Sequence, residues 1–271
     1  MRIALISDVF FDADGQSRLV ARLRAARERG AAIAVLPELA LDPWSPATAV
    51  ARDEDAEPPD GPRHRRLSDA ARAAGLAVVG GAIVRDRSSG VRHDTALAFD
   101  AGGALVHAYR KLHLPDEDGF RETSHYEPGD RPPTAFELAG VPVGVQICSD
   151  VNRPVGSYLL AAQGAEVILA PRATEPIYWE RWKLVLRATA MTCGVYVLTV
   201  TRREPDLAVP LGGPSAAFDP TGATLLEADD AITVVSIDRE AVAAARRAYP
   251  GYMPHRADIY AEGWTSAAGR R

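Results

Sequence analysis

Cysteine is scarce in this chain, whose 271 residues include only Cys148 and Cys193. Two widely spaced cysteines exclude the disulfide framework of a small secreted domain. Long apolar runs are also lacking, and the first residues resemble neither a membrane span nor a secretory signal. These absences predict a cytoplasmic protein with reduced thiols and no membrane partner.

Charge of one sign is not concentrated anywhere. Lys and Arg number 31 against 36 Asp and Glu, a net charge of −5, and the two signs are interspersed. Proteins that bind nucleic acid or anionic membranes usually carry a basic surface or tail. The sequence therefore predicts no nucleic-acid partner, and the expected partner is a small-molecule substrate.

Metal and nucleotide motifs are missing as well. The six histidines include no pair with the usual spacing of metal ligands, and the glycines form neither a GxGxxG nor a P-loop pattern. We therefore expect no metal and no organic cofactor.

Short apolar runs alternate with helical patterns, which predicts α/β packing with helices covering sheets. No Pro- or Gly-rich linker divides the chain, so residues 1–271 are expected to form a single domain. The predicted strands are 2–9, 31–36, 76–84, 96–99, 104–111, 141–147, 166–170 and 196–200, with runs near 216, 224 and 233; the predicted helices are 16–29, 64–74, 154–163, 179–193 and a last one at 239–248.

One pattern occurs twice. Gly30-Ala31 leads through a strand to Pro37-Glu38, and Gly164-Ala165 leads through a strand to Pro171-Arg172 with the same spacing. Helix–Gly–strand joins are common, so the pattern does not require a duplicated ancestor. It does suggest that Glu38 and Arg172 both project at strand ends, where α/β proteins bind ligands.

Cys148 is a candidate nucleophile because it closes an apolar strand and precedes a turn into a helix. A helix N-terminus there would lower the pKa of the thiol and favour the thiolate. The alternative is a small buried apolar residue, which most free cysteines are. Cys193 lies inside a helical pattern and is expected to be a core residue.

A thiolate needs a base or a cation nearby. Glu38 and Lys111 each end an apolar strand, so an acid–base group, a cation and a nucleophile could meet at one edge. His113 follows Lys111 at strand spacing, but a structural histidine bonded to the backbone is the simpler interpretation. For Glu38, the alternative is a solvated loop carboxylate.

Three segments resemble the catalytic motifs of the nitrilase, or carbon–nitrogen hydrolase, superfamily, and they occur in the right order. They are Leu36-Pro37-Glu38-Leu39, Tyr109-Arg110-Lys111-Leu112-His113-Leu114 and Gly144-Val145-Gln146-Ile147-Cys148-Ser149-Asp150. Weaker similarity extends through most of the chain, for example at Pro128-Gly129-Asp130 and at 256–260.

The resemblance implies an αββα sandwich that usually assembles into homodimers or larger homo-oligomers, and an enzyme with no metal or cofactor. It implies a Glu-Lys-Cys triad in which Glu38 is the general base, Cys148 the nucleophile and Lys111 an oxyanion donor together with the backbone N–H of Ser149. It further assigns Glu122 to the second glutamate of the family; an exposed loop position is the alternative for Glu122.

Departures from the family pattern concern the substrate. Ser149-Asp150 after the cysteine resembles amidase and carbamoylase members, whereas nitrilases carry Trp-Glu there. Arg172 replaces a small residue and is a candidate for binding a substrate carboxylate, with an ion pair to Glu175 or Asp150 as the alternative. Trp44 and Trp179 are candidates for shaping the pocket, or for simple packing.

The expected activity is hydrolysis of a small amide or N-carbamoyl amine through a cysteine acyl-enzyme. A nitrilase, or an acyltransferase that passes the acyl group to an amine, would use the same triad. A protein of another class, a small-molecule binder without catalysis, would not need all three triad residues.

Overall fold

The computed structural model describes residues 1–268. Its helices are α1 (Gly15–Glu28), α2 (Pro62–Ala74), α3 (Pro154–Ala162), α4 (Trp179–Cys193), α5 (Arg239–Arg247) and α6 (Ala257–Ala268). Its strands are β1 (Arg2–Ile6), β2 (Ile33–Val35), β3 (Ala77–Arg85), β4 (Arg92–Phe99), β5 (Leu105–Arg110), β6 (Asp116–Glu117), β7 (Phe120–Arg121), β8 (Phe136–Leu138), β9 (Val141–Val145), β10 (Val167–Arg172), β11 (Tyr196–Thr201), β12 (Ser215–Phe218), β13 (Thr224–Ala228) and β14 (Ile232–Ser236).

Two six-stranded sheets have matching layouts. The first has the order β14-β1-β2-β3-β4-β5 and the second the order β13-β12-β11-β10-β9-β8. In the first, β2 runs parallel to β1 and β3; in the second, β10 runs parallel to β9 and β11. The carboxyl ends of the parallel strands in each sheet therefore lie at one edge, as the repeated sequence pattern indicated.

Alternate residues of each strand face different layers, because side chains alternate across a strand. Ile3 and Leu5 pack with Val167 and Leu169 between the two sheets. Ala4, Ile6 and their neighbours pack against α1 and α2, and the other face of the second sheet packs against α3 and α4. The result is the αββα sandwich that the resemblance implied.

The predicted elements agree with the structure except at a few places. The first strand ends at Ile6 rather than residue 9, and β4 begins at Arg92, four residues before its predicted start. The expectation that α5 is the last helix is wrong, because α6 follows it. All of α6 is exposed, so no buried face marks it in the sequence. Among residues 1–268, no helix is long and apolar enough to span a membrane.

Candidate active site

The sandwich brings three chain segments together where strands end. Glu38 lies three residues beyond β2, Lys111 directly follows β5, and Cys148 begins a 3-10 helix just after β9. Each of the three residues is buried, with at most 4 % of its surface exposed. The side chains proposed from the sequence therefore lie at one interior site rather than on separate loops.

Lys111 is the centre of a buried ion cluster. Its Nζ lies 2.7 Å from Glu38 Oε1 and 2.7 and 2.6 Å from the two carboxylate oxygens of Glu122. Burial by itself would lower the pKa of Lys111, but the Glu122 and Glu38 carboxylates raise that pKa well above its usual range. The lysine is therefore a fixed cation inside the protein.

Glu38 is held from both sides. Its Oε2 accepts a hydrogen bond of 2.9 Å from the backbone N–H of Ala173, which follows β10 in the opposite sheet. The backbone after Glu38 turns through Leu39 at φ 49°, and the buried Arg202 donates to the Leu39 carbonyl at 2.8 Å. These contacts fix the carboxylate in one orientation, as a general base requires.

Glu122 lies in the cluster, as the family pattern implied. It begins a 3-10 helix and is fully buried, whereas Glu127, which directly precedes Pro128-Gly129 and matches the family pattern less well, is exposed. Burial raises the pKa of Glu122 to about 7, although Lys111 opposes the shift. The alternative of an exposed loop glutamate is therefore wrong for Glu122.

Cys148 has a strained backbone and contacts the same residue as Glu38. Its φ of 46° is in the left-handed region, which is uncommon for a residue with a side chain. Its Sγ lies 3.6 Å from the carbonyl oxygen of Ala173, whose N–H binds Glu38. The backbone of one residue, Ala173, thus contacts both the thiol and the carboxylate.

The expectation of a lowered thiol pKa is wrong. Burial and the Glu38 carboxylate raise the pKa of Cys148 well above its usual range, against the effect of Lys111. The helix that starts here is only the 3-10 segment Cys148–Asn152, and α3 begins later, at Pro154. A thiol in this state needs a base to remove its proton when it attacks.

Asp150 connects the segment around Lys111 to the turn that carries Cys148. Its Oδ1 accepts from the backbone N–H and the ring Nδ1 of His113 at 3.0 and 2.8 Å, and its Oδ2 accepts from the Tyr109 hydroxyl at 2.8 Å. Asp150 is fully buried and is not among the residues that line the pocket beside Cys148. Its contacts therefore position the segments that carry Lys111 and Cys148 relative to each other.

Cys148 opens into a pocket of about 380 Å³. The pocket is bounded by the β6–β7 region, by the start of the 3-10 helix at Cys148 and by the first turns of α4. Its size suits a small molecule. Besides Cys148, the lining is a mixture of charged, polar and apolar residues: Pro115, Glu117, Phe120, Ser149, Asn152, Ala173, Thr174, Glu175, Tyr178, Arg181, Trp182 and Val185.

Trp44 and Trp179 lie behind this lining. Trp44 Nε1 donates to the Gly119 carbonyl at 2.8 Å, and its ring meets Phe120 edge-on at 5.7 Å. Trp179 Nε1 donates to Glu227 at 2.9 Å. Both tryptophans support residues or elements of the pocket wall, and their contact with substrate stays a prediction.

Arg172 is buried beneath the wall. Its Nε donates to Thr199 Oγ1 at 3.0 Å, another nitrogen donates to the Pro214 carbonyl at 2.5 Å, and its guanidinium lies 5.0 Å from the Trp179 ring. Burial lowers the pKa of Arg172 to about 10, so it is still charged at neutral pH. No salt bridge to Glu175 or Asp150 forms within residues 1–268, which removes that alternative.

Two contributors to the site were not anticipated. Ala173 acts through its backbone, and no side-chain pattern reveals a backbone donor. Arg202 is far from Glu38 in the sequence and binds the backbone of the following loop. The Arg202-Arg203 pair after an apolar strand is the sequence signal for it, and that signal is weak.

Comparison with known proteins identifies the family. Residues 11–247 match the family model for carbon–nitrogen hydrolases. Omega-amidase NIT2 of Homo sapiens is 31 % identical over 260 residues, which cover 92 % of this chain and 91 % of the relative. Nit3 of Saccharomyces cerevisiae, a member of the nitrilase superfamily, superimposes with a TM-score of 0.80 at 25 % identity, covering 94 % of this chain and 96 % of Nit3.

A carbon–nitrogen hydrolase from Helicobacter pylori shares the fold with a TM-score of 0.85, at 20 % identity and with 97 % of each chain covered. The fold thus agrees over nearly the whole chain, and the family model covers every strand except β1, together with the segments that carry Glu38, Lys111 and Cys148. The protein belongs to the carbon–nitrogen hydrolase family of the nitrilase superfamily.

Proposed function

We propose that this protein hydrolyses the C–N bond of a small linear amide or N-carbamoyl amine, with Cys148 as its nucleophile. The main evidence is the buried ammonium of Lys111, which bonds to Glu38 and Glu122 and lies beside a thiol that opens into a pocket. The relative named omega-amidase NIT2 supports an amide as the substrate class.

In the first half of the reaction, the Cys148 sulfur attacks the carbonyl carbon. Glu38 takes the thiol proton, since the resting thiol is not ionised. The tetrahedral intermediate then collapses, the C–N bond breaks, and Glu38 returns the proton to the leaving nitrogen. Ammonia or an amine departs and a thioester to Cys148 remains.

In the second half, water enters the space left by the amine. Glu38 takes a proton from the water as its oxygen attacks the thioester carbon. Collapse of this second intermediate breaks the C–S bond, and the proton returns to the Cys148 sulfur. The products are the free enzyme and a carboxylic acid or, from an N-carbamoyl amine, carbamic acid, which breaks down to ammonia and carbon dioxide.

Two donors serve the oxyanion in both halves. The backbone N–H of Ser149 is in the first turn of a 3-10 helix, where N–H groups lack partners inside the helix. Lys111 makes two of its three close contacts to the single carboxylate of Glu122. One of those two hydrogens can turn toward the oxyanion while the other holds Glu122.

A carboxylate on the substrate would be attracted by the positive charge behind the pocket. The guanidinium of Arg172 is buried and bonds to neutral acceptors, and Arg181 lines the pocket directly. A cation in a region of low dielectric attracts an anion over several ångströms. We therefore propose that Arg172 favours substrates with an acidic group.

A panel of substrates tests the proposed activity. Ammonia release is measured for ω-amides with and without a carboxylate, N-carbamoyl amino acids, and nitriles, each with and without hydroxylamine as an acyl acceptor. Turnover of amides or carbamoyl amines supports the proposal. Turnover of nitriles alone would identify a nitrilase. Formation of a hydroxamate without hydrolysis would identify an acyltransferase, and binding without turnover would identify a non-catalytic protein. Each of these three results would overturn the proposed function.

We also propose that the protein is a cytoplasmic homo-oligomer. Both cysteines are free thiols, and Cys148 must stay reduced to act. The C-terminal segment exposes large apolar side chains, among them Tyr252, Ile259, Tyr260 and Trp264, which a second copy would cover. Light scattering after gel filtration measures the assembly, and a strictly monomeric mass would contradict this proposal.

A further inference from the structure

A third carboxyl group lies against the ion cluster, and the mechanism above does not use it. Asp94 is on β4, is 1 % exposed, and its backbone carbonyl accepts the N–H of Lys111 at 2.9 Å. Carboxyl oxygens of Glu38, Asp94 and Glu122 all lie within 4.8 Å of one another. Asp94 does not line the pocket, so it faces the catalytic groups rather than the substrate.

The lysine leaves Asp94 without a donor. A lysine ammonium has three hydrogens, and the three close contacts of Lys111 go to Glu38 and Glu122. One cation therefore faces three carboxyl groups in a region that water does not reach. Burying several uncompensated negative charges is strongly unfavourable, so the cluster must retain protons.

Asp94 is the member of the cluster whose hydrogen-bonding capacity is unused. Its Oδ2 is buried and has no hydrogen-bond partner within residues 1–268, whereas both oxygens of Glu38 and of Glu122 have donors. A proton on Asp94 would give that group a partner, because a carboxylate oxygen of Glu38 can accept a further hydrogen bond.

We propose that Asp94 is a positioning residue that stays protonated and donates a hydrogen bond to the Glu38 carboxylate. A neutral donor at this place holds Glu38 in the orientation needed to take the thiol proton. An ionised Asp94 would instead repel Glu38 and disturb its contact with Lys111. The consequence for catalysis rests on the proposed role of Glu38 as general base, whereas the protonation state does not.

The charges around Asp94 favour the same state. Burial and the Glu38 carboxylate raise the pKa of Asp94 well above its usual range, and Lys111 only partly opposes them. When the pKa of an acid is higher in the folded than in the unfolded protein, its contribution to the free energy of unfolding decreases as pH rises. The titratable groups that face it are Glu38, Lys111, Glu122 and Tyr126.

The protonation state is measured by NMR of protein labelled with ¹³C at the aspartate side-chain carboxyls, which leaves glutamate signals out. At about pH 8 we expect one aspartate carboxyl signal at the protonated position, absent from the Asp94→Asn variant. Asp42 is the matched control, because it is also buried but its pKa of about 6 makes it ionised at that pH. A wild-type spectrum with no protonated aspartate would overturn the proposal, even if Asp94→Asn failed to fold.

The positioning role is measured by kinetics of two variants. Asp94→Asn keeps a neutral donor, so kcat should stay within about threefold of wild type, whereas Asp94→Ala should lower kcat about 10- to 100-fold with little change in KM. The slope of log Kunf against pH should also fall by about one in Asp94→Asn near neutral pH. Equal losses of kcat in both variants, with an unchanged pH slope, would overturn the proposal.

Discussion

Cys148 and Cys193 are both free thiols with little exposure, 4 % and 6 % respectively. Burial raises the pKa of both, and that of Cys193 reaches about 12. Cys193 ends α4 and packs in the core beneath the second sheet, whereas Cys148 opens into the pocket with Glu38 and Lys111 near it. The two thiols therefore do not differ in being un-ionised at rest. They differ in that a carboxylate, a cation and an open pocket lie next to Cys148.

The largest expected effect is at Cys148. Cys148→Ala should lower turnover between about 10⁴- and 10⁶-fold, as removal of a covalent nucleophile does elsewhere, while the circular dichroism spectrum stays that of the wild type. Cys148→Ser should be nearly as inactive, because a hydroxyl is harder to ionise than a thiol. Ammonia release measures both, and wild-type turnover in Cys148→Ala would show that this thiol is not the nucleophile.

Lys111 tests whether the cation matters as much as the thiol. Lys111→Met keeps much of the volume and should lower kcat about 10²–10³-fold, the usual effect of losing one oxyanion donor. It should also destabilise the protein by about 3–5 kcal/mol, because two carboxylates lose their buried partner.

The stability loss in Lys111→Met should depend on pH. Without the ammonium, the pKa values of the buried carboxyls rise in the folded state, so the loss grows as pH rises and shrinks in acid. Urea unfolding at several pH values measures this. A loss that is the same from about pH 5 to pH 8 would mean that the cluster is not held by charge.

Arg172 is expected to have a smaller effect, on the binding of acidic substrates in the same pocket. Arg172→Met should raise KM about tenfold for amides that carry a carboxylate and much less for neutral amides, because it removes a buried positive charge. Arg181→Met is the matched comparison, since Arg181 lines the pocket and is exposed. Equal changes for acidic and neutral amides in Arg172→Met would assign this arginine to packing alone.

The smallest effect is expected at Cys193. Cys193→Ala should keep wild-type kcat and lose about 1–2 kcal/mol of stability from a small cavity beneath the sheet. Activity assays and thermal unfolding measure the two quantities separately. A large loss of kcat here, without a comparable loss of stability, would remove the contrast between the two thiols.

Most of the fold could be predicted because burial leaves a periodic record in the sequence. The predicted bounds of α4, residues 179–193, agree with the structure, and Gly194 ends that helix at φ 62°. α6 left no such record because its residues are all exposed. A helix without a buried face has no apolar period to detect.

Without the family resemblance, the site could be predicted only to the level of residue types at strand ends. Glu38 and Arg172 follow the same sequence pattern, yet Glu38 enters the buried ion cluster and Arg172 bonds to Thr199 and Pro214 below the pocket wall. The difference arises from partners that are distant in the sequence. For the same reason, nothing local in the sequence singles out Asp94 as an acid without a donor.

The central claim is that Cys148, with Glu38 as its base, forms a covalent acyl-enzyme. Glu38→Gln keeps the shape of the base but cannot take a proton from the thiol or from water, so acylation should be slow and the thioester that does form should persist. Intact-protein mass spectrometry after a long incubation with substrate, followed by peptide mapping, should find one acyl group on Cys148 and none on Cys193. An acyl group on Cys193, or turnover by Glu38→Gln at the wild-type rate, would contradict the account.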